Sequence, residues 1–134
     1  MKKMVYCKSF EERVVLDSGE IDGYHYWIIS YGTHPCAYVE IPKGHPYYGI
    51  SSEDAYDLSI DCHCGITYGD FGLGYKGDCI SQDKFLLGWD YNHFFDYNAA
   101  IPDIGGKKWT TEEILWNVWD VIKQLKEVQN EKSA

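Results

Sequence analysis

Apolar positions recur at two spacings along this chain and divide it into a strand-rich body and one long helix. Ile114, Leu115, Val118, Val121, Ile122, Leu125 and Val128 form a helical stripe and predict a helix over 110–129. Trp119 sits at the edge of that stripe and Trp116 off it. Thr110 and Glu113 are spaced as a capping box, and Trp109 and Ile114 as a hydrophobic staple. Elsewhere the spacing is that of strands. Residues 24–30 are aromatic and β-branched, 31–35 turn the chain, and 36–41 return as an antiparallel partner. The cleanest alternation runs over 59–68. It puts Ile60, Cys62, Cys64, Ile66 and Tyr68 on one face, and Asp61, His63, Gly65 and Thr67 on the other. A strand over 84–91, containing Phe85, Leu86 and Leu87, is expected to pair with it through the intervening hairpin.

Between these segments lie connectors. Residues 17–23 are rich in turn formers, and 69–78 carry four glycines and predict a loop. Residues 42–49 combine two prolines and two glycines, which makes a stiff irregular loop. Residues 51–56 predict one short helical turn capped by a serine, and 101–108 another connector. Residues 4–16 show no clean period and predict a strand or strand pair, and 130–134 a frayed tail. The whole predicts a single α+β domain over 1–134, a mostly antiparallel β-sheet with one C-terminal α-helix packed on it.

Composition narrows the function classes. A chain of 134 residues, 45% hydrophobic and 16% aromatic, has enough apolar surface to fold around a core. Twelve Tyr and five Trp exceed what core filling asks, because their polar tips want partners. Some are expected to line a pocket or an interface, and a homo-oligomer is expected. The net charge of −9, with no basic cluster beyond a lysine pair, argues against a duplex nucleic acid partner. A small anion remains open to it, because backbone amides bind phosphate irrespective of the global charge. The first residues lack the apolar core of a signal peptide, and no run is long enough to cross a bilayer. With five cysteines, an odd count, this predicts a cytoplasmic protein with free thiols and no membrane partner.

Candidate chemistry concentrates in Leu87-Gly88-Trp89-Asp90-Tyr91-Asn92-His93-Phe94-Phe95-Asp96-Tyr97. Asp90, His93 and Asp96 fall three apart among aromatic rings, which suits a polar ligand or a proton transfer. The alternative is a strand end and turn in which the carboxylates cap backbone groups. The stiff loop presents His45, Tyr47 and Tyr48, either as site residues or as a lid on the core. The polar face of 59–68 adds His63 and Thr67. These nine residues (His45, Tyr47, Tyr48, His63, Thr67, Trp89, Asp90, His93 and Asp96) are the expected ligand-binding set. His63, His93 and Asp90 would be the catalytic groups of an enzyme. No CxxC, HExxH, P-loop or nucleophile elbow occurs, and alternation turns His63 away from Cys62 and Cys64. No metal and no cofactor are therefore expected.

Three ordered motifs resemble a family of small tailed-bacteriophage proteins. The first is Cys36-Ala37-Tyr38-Val39 and Pro42 followed by Gly44-His45-Pro46-Tyr47-Tyr48-Gly49. The second is His63-Cys64-Gly65-Ile66-Thr67-Tyr68, similar to the family's H-G-G-[LI]-T-[YF], with Cys64 where the family usually has glycine. The third is Gly88-Trp89-Asp90-Tyr91-Asn92-His93-Phe94-Phe95-Asp96, similar to its G-[FW]-D-x-x-H-x-x-D. The Trp-Thr-x-Glu-Glu lead into the last helix is similar too, so the likeness spans roughly residues 24 to 128. It implies a phage origin and nominates His45, His63, Asp90, His93 and Asp96, but no reaction. By analogy, small phage proteins with aromatic pockets include sponges for the nucleotide signals of bacterial immunity and enzymes that cleave them. The expected function is thus counter-defence by sequestering a cyclic ADP-ribose-like or cyclic dinucleotide signal. Its rivals are a phosphodiesterase acting on such a signal and an interaction module without ligand.

Overall fold

The structure is a computed structural model and describes residues 14–73 and 80–133. Among these residues five strands form one sheet: β1 (Val14–Ile21), β2 (Tyr24–Ser30), β3 (Pro35–Glu40), β4 (Tyr68–Leu73) and β5 (Ile80–Asp90). Their order across the sheet is β1-β2-β3-β5-β4, and every neighbouring pair is antiparallel. A short helix, α1 (Ser52–Tyr56), lies against β4, and the long C-terminal helix, α2 (Thr111–Ser133), packs across β1, β2 and β3. The architecture is the expected α+β one.

The stripe on α2 does what its spacing implies. Ile114, Val118, Val121, Ile122 and Leu125 are buried against Ile28, Val39, Leu87 and Trp89 of the sheet. The capping box forms: the Thr110 N–H donates to Glu113 Oε1 at 3.0 Å, and the Glu113 N–H donates to Thr110 Oγ1 at 3.2 Å. Trp116 and Trp119 stay exposed on the outer face. On the opposite side of the sheet Trp27, Ile29, Tyr38 and Leu86 form a second buried cluster, so β2, β3 and β5 are apolar on both faces. Ser51 caps α1 by accepting from the Asp54 N–H.

Three segments differ from expectation. The turn expected over 17–23 shrinks to Asp22-Gly23, whose positive φ angles of 51° and 86° make a two-residue hairpin between Ile21 and Tyr24. The turn-forming residues before it are tolerated in β1 because, among the described strands, it lies at the edge of the sheet and most of its side chains are not buried. The loop expected over 69–78 contains β4, and its remainder, like the expected strand in 4–13, lies outside the described residues. Most consequential is 59–68, which is not a strand. Cys64 and Gly65 adopt φ of 59° and 86°, a left-handed pair that bends the chain, and the Gly65 N–H closes a turn on the Cys62 carbonyl at 3.1 Å. Ladder bonding to β5 begins with the Thr67 N–H on the Gly88 carbonyl, so the expected pairing holds in register only from there.

Candidate functional site

The site grows from the end of β5. Asp90 pairs with Cys36 of β3, and the Tyr91 N–H then bonds the Pro35 carbonyl, the last backbone tie before the chain turns. The Asn92 N–H donates to Asp90 Oδ1 at 3.1 Å, and the Asp96 N–H to the His93 carbonyl at 2.8 Å, so 90–96 is a compact double turn. Phe94 and Phe95 project from its outside, 86% and 67% exposed. A single parallel bridge joins Asp96 to Lys107 and swings Trp109 in from the approach to α2.

Asp96 is the hub. Its side chain is 2% exposed, and three donors converge on it. His63 Nε2 lies 2.8 Å from Oδ2 and 3.0 Å from Oδ1, Trp109 Nε1 donates to Oδ1 at 2.8 Å, and the His93 N–H donates to Oδ2 at 3.0 Å. Burial alone would raise this carboxyl's pKa, but the bonds from His63, the His93 backbone and Trp109 outweigh it and hold it below the ordinary value. His63, which the Cys62–Gly65 turn delivers, is enclosed by rings. It stacks on Tyr91 with centroids 4.7 Å apart and meets the edge of Trp109 at 4.8 Å. With Nε2 donating to Asp96, its Nδ1 carries the lone pair.

His93 is the second imidazole, 5.5 Å from His63 between ring centroids. Its Nδ1 lies 3.4 Å from Asp96 Oδ2 and 3.6 Å from Asp90 Oδ1, and it is buried without a hydrogen-bond partner. Asp90 takes the Thr67 hydroxyl on Oδ2 at 3.2 Å. A third imidazole, His34, joins from the β2–β3 turn, where Thr33 Oγ1 sits 2.9 Å from its Nδ1. Burial lowers its pKa, against the opposing pull of Asp90 and Asp96 and with a further push down from His93, which favours the uncharged ring. Cys64 lies beside the pair: one donor atom each from His63, Cys64 and His93 fall within 4.8 Å of one another.

Five of the nine expected residues thus come together: His63, Thr67, Asp90, His93 and Asp96. The other four do different work. His45 is 3% exposed, with Nε2 donating to the Leu125 carbonyl at 2.8 Å and Nδ1 accepting from the Tyr47 N–H at 3.0 Å. Both nitrogens are committed, and they pin the 42–49 loop to α2. Tyr47 packs on that imidazole, and Tyr48 on Phe71 and Phe85, so both serve the core. Trp89 is 1% exposed and donates from Nε1 to the Tyr91 hydroxyl at 3.0 Å, so its ring is no stacking platform for a base.

Tyr91, Trp109, His34 and Cys64 escaped sequence reasoning as members of the site. The separation of 13 residues between Asp96 and Trp109 follows no helical or strand period, and only the bridge to Lys107 makes it short in space. No family model, curated protein or solved structure matches this chain. Among the described residues, no helix is long and apolar enough to cross a membrane.

Proposed function

We propose that this chain hydrolyses a small nucleotide-derived phosphoester at the His63–Asp96–His93 site. The observation that carries the reading is the imidazole of His63, fixed by a buried carboxylate that two further donors hold in place. Such tethering selects one tautomer and one ring orientation, which proton transfer needs and simple burial of a histidine does not. In the step proposed, His63 Nδ1 takes a proton from water as its oxygen attacks phosphorus. The P–O bond to the leaving alkoxide then breaks, and His93, entering the step as an imidazolium beside Asp90 and Asp96, gives its own proton to that alkoxide. Phe94 and Phe95 offer exposed rings beside the site for a base.

The likeness to phage proteins points to a phage origin, and by analogy with other small phage proteins the substrate class is a nucleotide signal of host immunity, met in the host cytoplasm. Sequestration of the same ligand without turnover is the second reading. It is favoured by the same exposed phenylalanines, since stacking binds without chemistry. Purified protein is incubated with cyclic dinucleotides and cyclic ADP-ribose-like compounds, then heat-denatured, and the released small molecules are identified by mass spectrometry. A hydrolysed product supports the enzyme, and intact ligand that was retained supports sequestration. If no compound is retained or altered, both readings fall and an interaction module is left.

A further inference from the structure

We infer that His63, Cys64 and His93 form a binding site for a transition-metal ion of the zinc class, a ligand that the spacing of these residues in the sequence argued against. Alternation had separated His63 from Cys64, but the left-handed φ of Cys64 and Gly65 breaks the strand and returns the thiol to the imidazole side. One nitrogen or sulfur from each residue lies within 4.8 Å of the other two. At Zn–N and Zn–S bond lengths, tetrahedral donors stand about 3.5 Å apart, so closure asks for a shift of roughly an ångström. Cys64 is exposed and can supply that shift by a rotamer change.

Two features already in place suit an ion. First, Asp96 accepts from His63 Nε2, which leaves the Nδ1 lone pair for ligation and forms the carboxylate–histidine pairing that supports metal-bound imidazoles. Second, His93 Nδ1 is buried with no hydrogen bond, 3.4 Å and 3.6 Å from two carboxylate oxygens. The ring is held by neighbouring charge with no hydrogen bond from Nδ1 to break, and can turn a nitrogen toward the ion. Two imidazoles and a thiolate are borderline-soft donors that favour zinc or cobalt over magnesium or calcium. Three protein ligands leave a fourth position for water, as in catalytic zinc sites. With an ion bound, it would supply the water activation in place of His63, His93 would act as a ligand rather than as the acid, and Asp90, 3.6 Å from His93 Nδ1, would be the carboxylate left to take the proton.

The test is a titration of chelator-stripped full-length protein with Co²⁺, followed by absorption, and with Zn²⁺ in competition. Wild type should take up one equivalent and show a near-ultraviolet thiolate-to-cobalt band. Cys64→Gly, which relieves the left-handed backbone and so preserves the fold, should lose that band and bind at least tenfold more weakly. His93→Ala should lose affinity likewise, whereas Cys62→Ser should bind as wild type does, because Cys62 packs against the core. Substoichiometric uptake would overturn the inference, and so would unchanged binding in Cys64→Gly. The readout is metal occupancy alone, so it stands or falls separately from any hydrolytic activity.

Discussion

Removing the Asp96 carboxylate is the perturbation that the site should feel most. In Asp96→Ala three donors lose their acceptor together: His63 Nε2, Trp109 Nε1 and the His93 N–H. A buried donor left unsatisfied costs about 1–3 kcal/mol. The His63 side chain is 15% exposed and the His93 N–H lies in a half-buried turn, so water partly replaces the lost bonds there, and the low end of that range applies. Trp109 loses its bond within the ring cluster and pays nearer the middle. The sum is roughly 3–5 kcal/mol, the range seen when one partner of a buried charged network is removed. In a domain of this length that lowers the melting temperature by roughly 10–20 °C.

Asp96→Asn sharpens the comparison. Its amide keeps one acceptor oxygen but turns a second group into a donor facing donors, so about half the loss, ~2 kcal/mol, is expected. Urea unfolding followed by tryptophan fluorescence measures both, with Trp109→Phe as the partner change. If Asp96 is the hub, the double-mutant cycle between positions 96 and 109 shows coupling on the order of 1 kcal/mol. An Asp96→Ala protein within about 1 kcal/mol of wild type, with no coupling to Trp109, would refute the hub as the organiser of the site.

Three further outcomes are expected. Gly88→Ala should destabilise by about 1–3 kcal/mol in urea unfolding, because a Cβ there would lie 2.5 Å from the Tyr38 ring and 3.0 Å from the Ala37 carbonyl. Glu113 has its pKa lowered by Lys107 and by the Thr110 cap, so its contribution is present above the unfolded carboxylate's pKa and lost as pH falls through the folded value. The stability gap between wild type and Glu113→Ala should therefore close in acid. Burial, with the bond to Asp17, pushes the Tyr26 hydroxyl up to about 12. Its contribution is fully present below the unfolded tyrosine's pKa and lost as pH rises from there through the folded value of about 12, so alkaline unfolding monitored by circular dichroism should be shallower in Tyr26→Phe.

What was legible in the sequence was whatever rests on long or local periodicity. The α2 stripe, the capping box, the β2–β3 pair and the serine cap of α1 each follow from spacing within a few residues, and each formed. Asp90, His93 and Asp96 were legible because one short turn holds them. The segment 59–68 misled because alternation of residue types is blind to φ. A cysteine and a glycine in left-handed conformation broke the strand, though their neighbours Ile60 and Ile66 stayed buried as the pattern required. Trp89 and His45 misled for the opposite reason: polar tips that a ligand could have used were satisfied inside the protein, by Tyr91 and by the Leu125 carbonyl. Residue types nominate donors, but only tertiary structure says who has already taken them.

Charge ties the two proposals together. Asp90 and Asp96 put two carboxylates at a site read as accepting a phosphoester, within a chain of net charge −9. A phosphate about 6 Å from one carboxylate meets a repulsion of roughly 3 kcal/mol at the effective dielectric constant of a protein surface. Thr67 and backbone amides do not offset two such terms, and Lys107 is engaged with Glu113 at 2.7 Å. A divalent ion held by two imidazoles and one thiolate adds one net positive charge beside those two carboxylates and so weakens the repulsion. Ion and phosphoester should then bind with positive coupling, each tightening the other by the same factor. Measuring nucleotide retention with and without Zn²⁺, and Zn²⁺ affinity with and without nucleotide, should give equal ratios above one. Retention that is unchanged or weakened by the ion would separate the metal site from the nucleotide reading and leave sequestration through Phe94 and Phe95 as the account of binding.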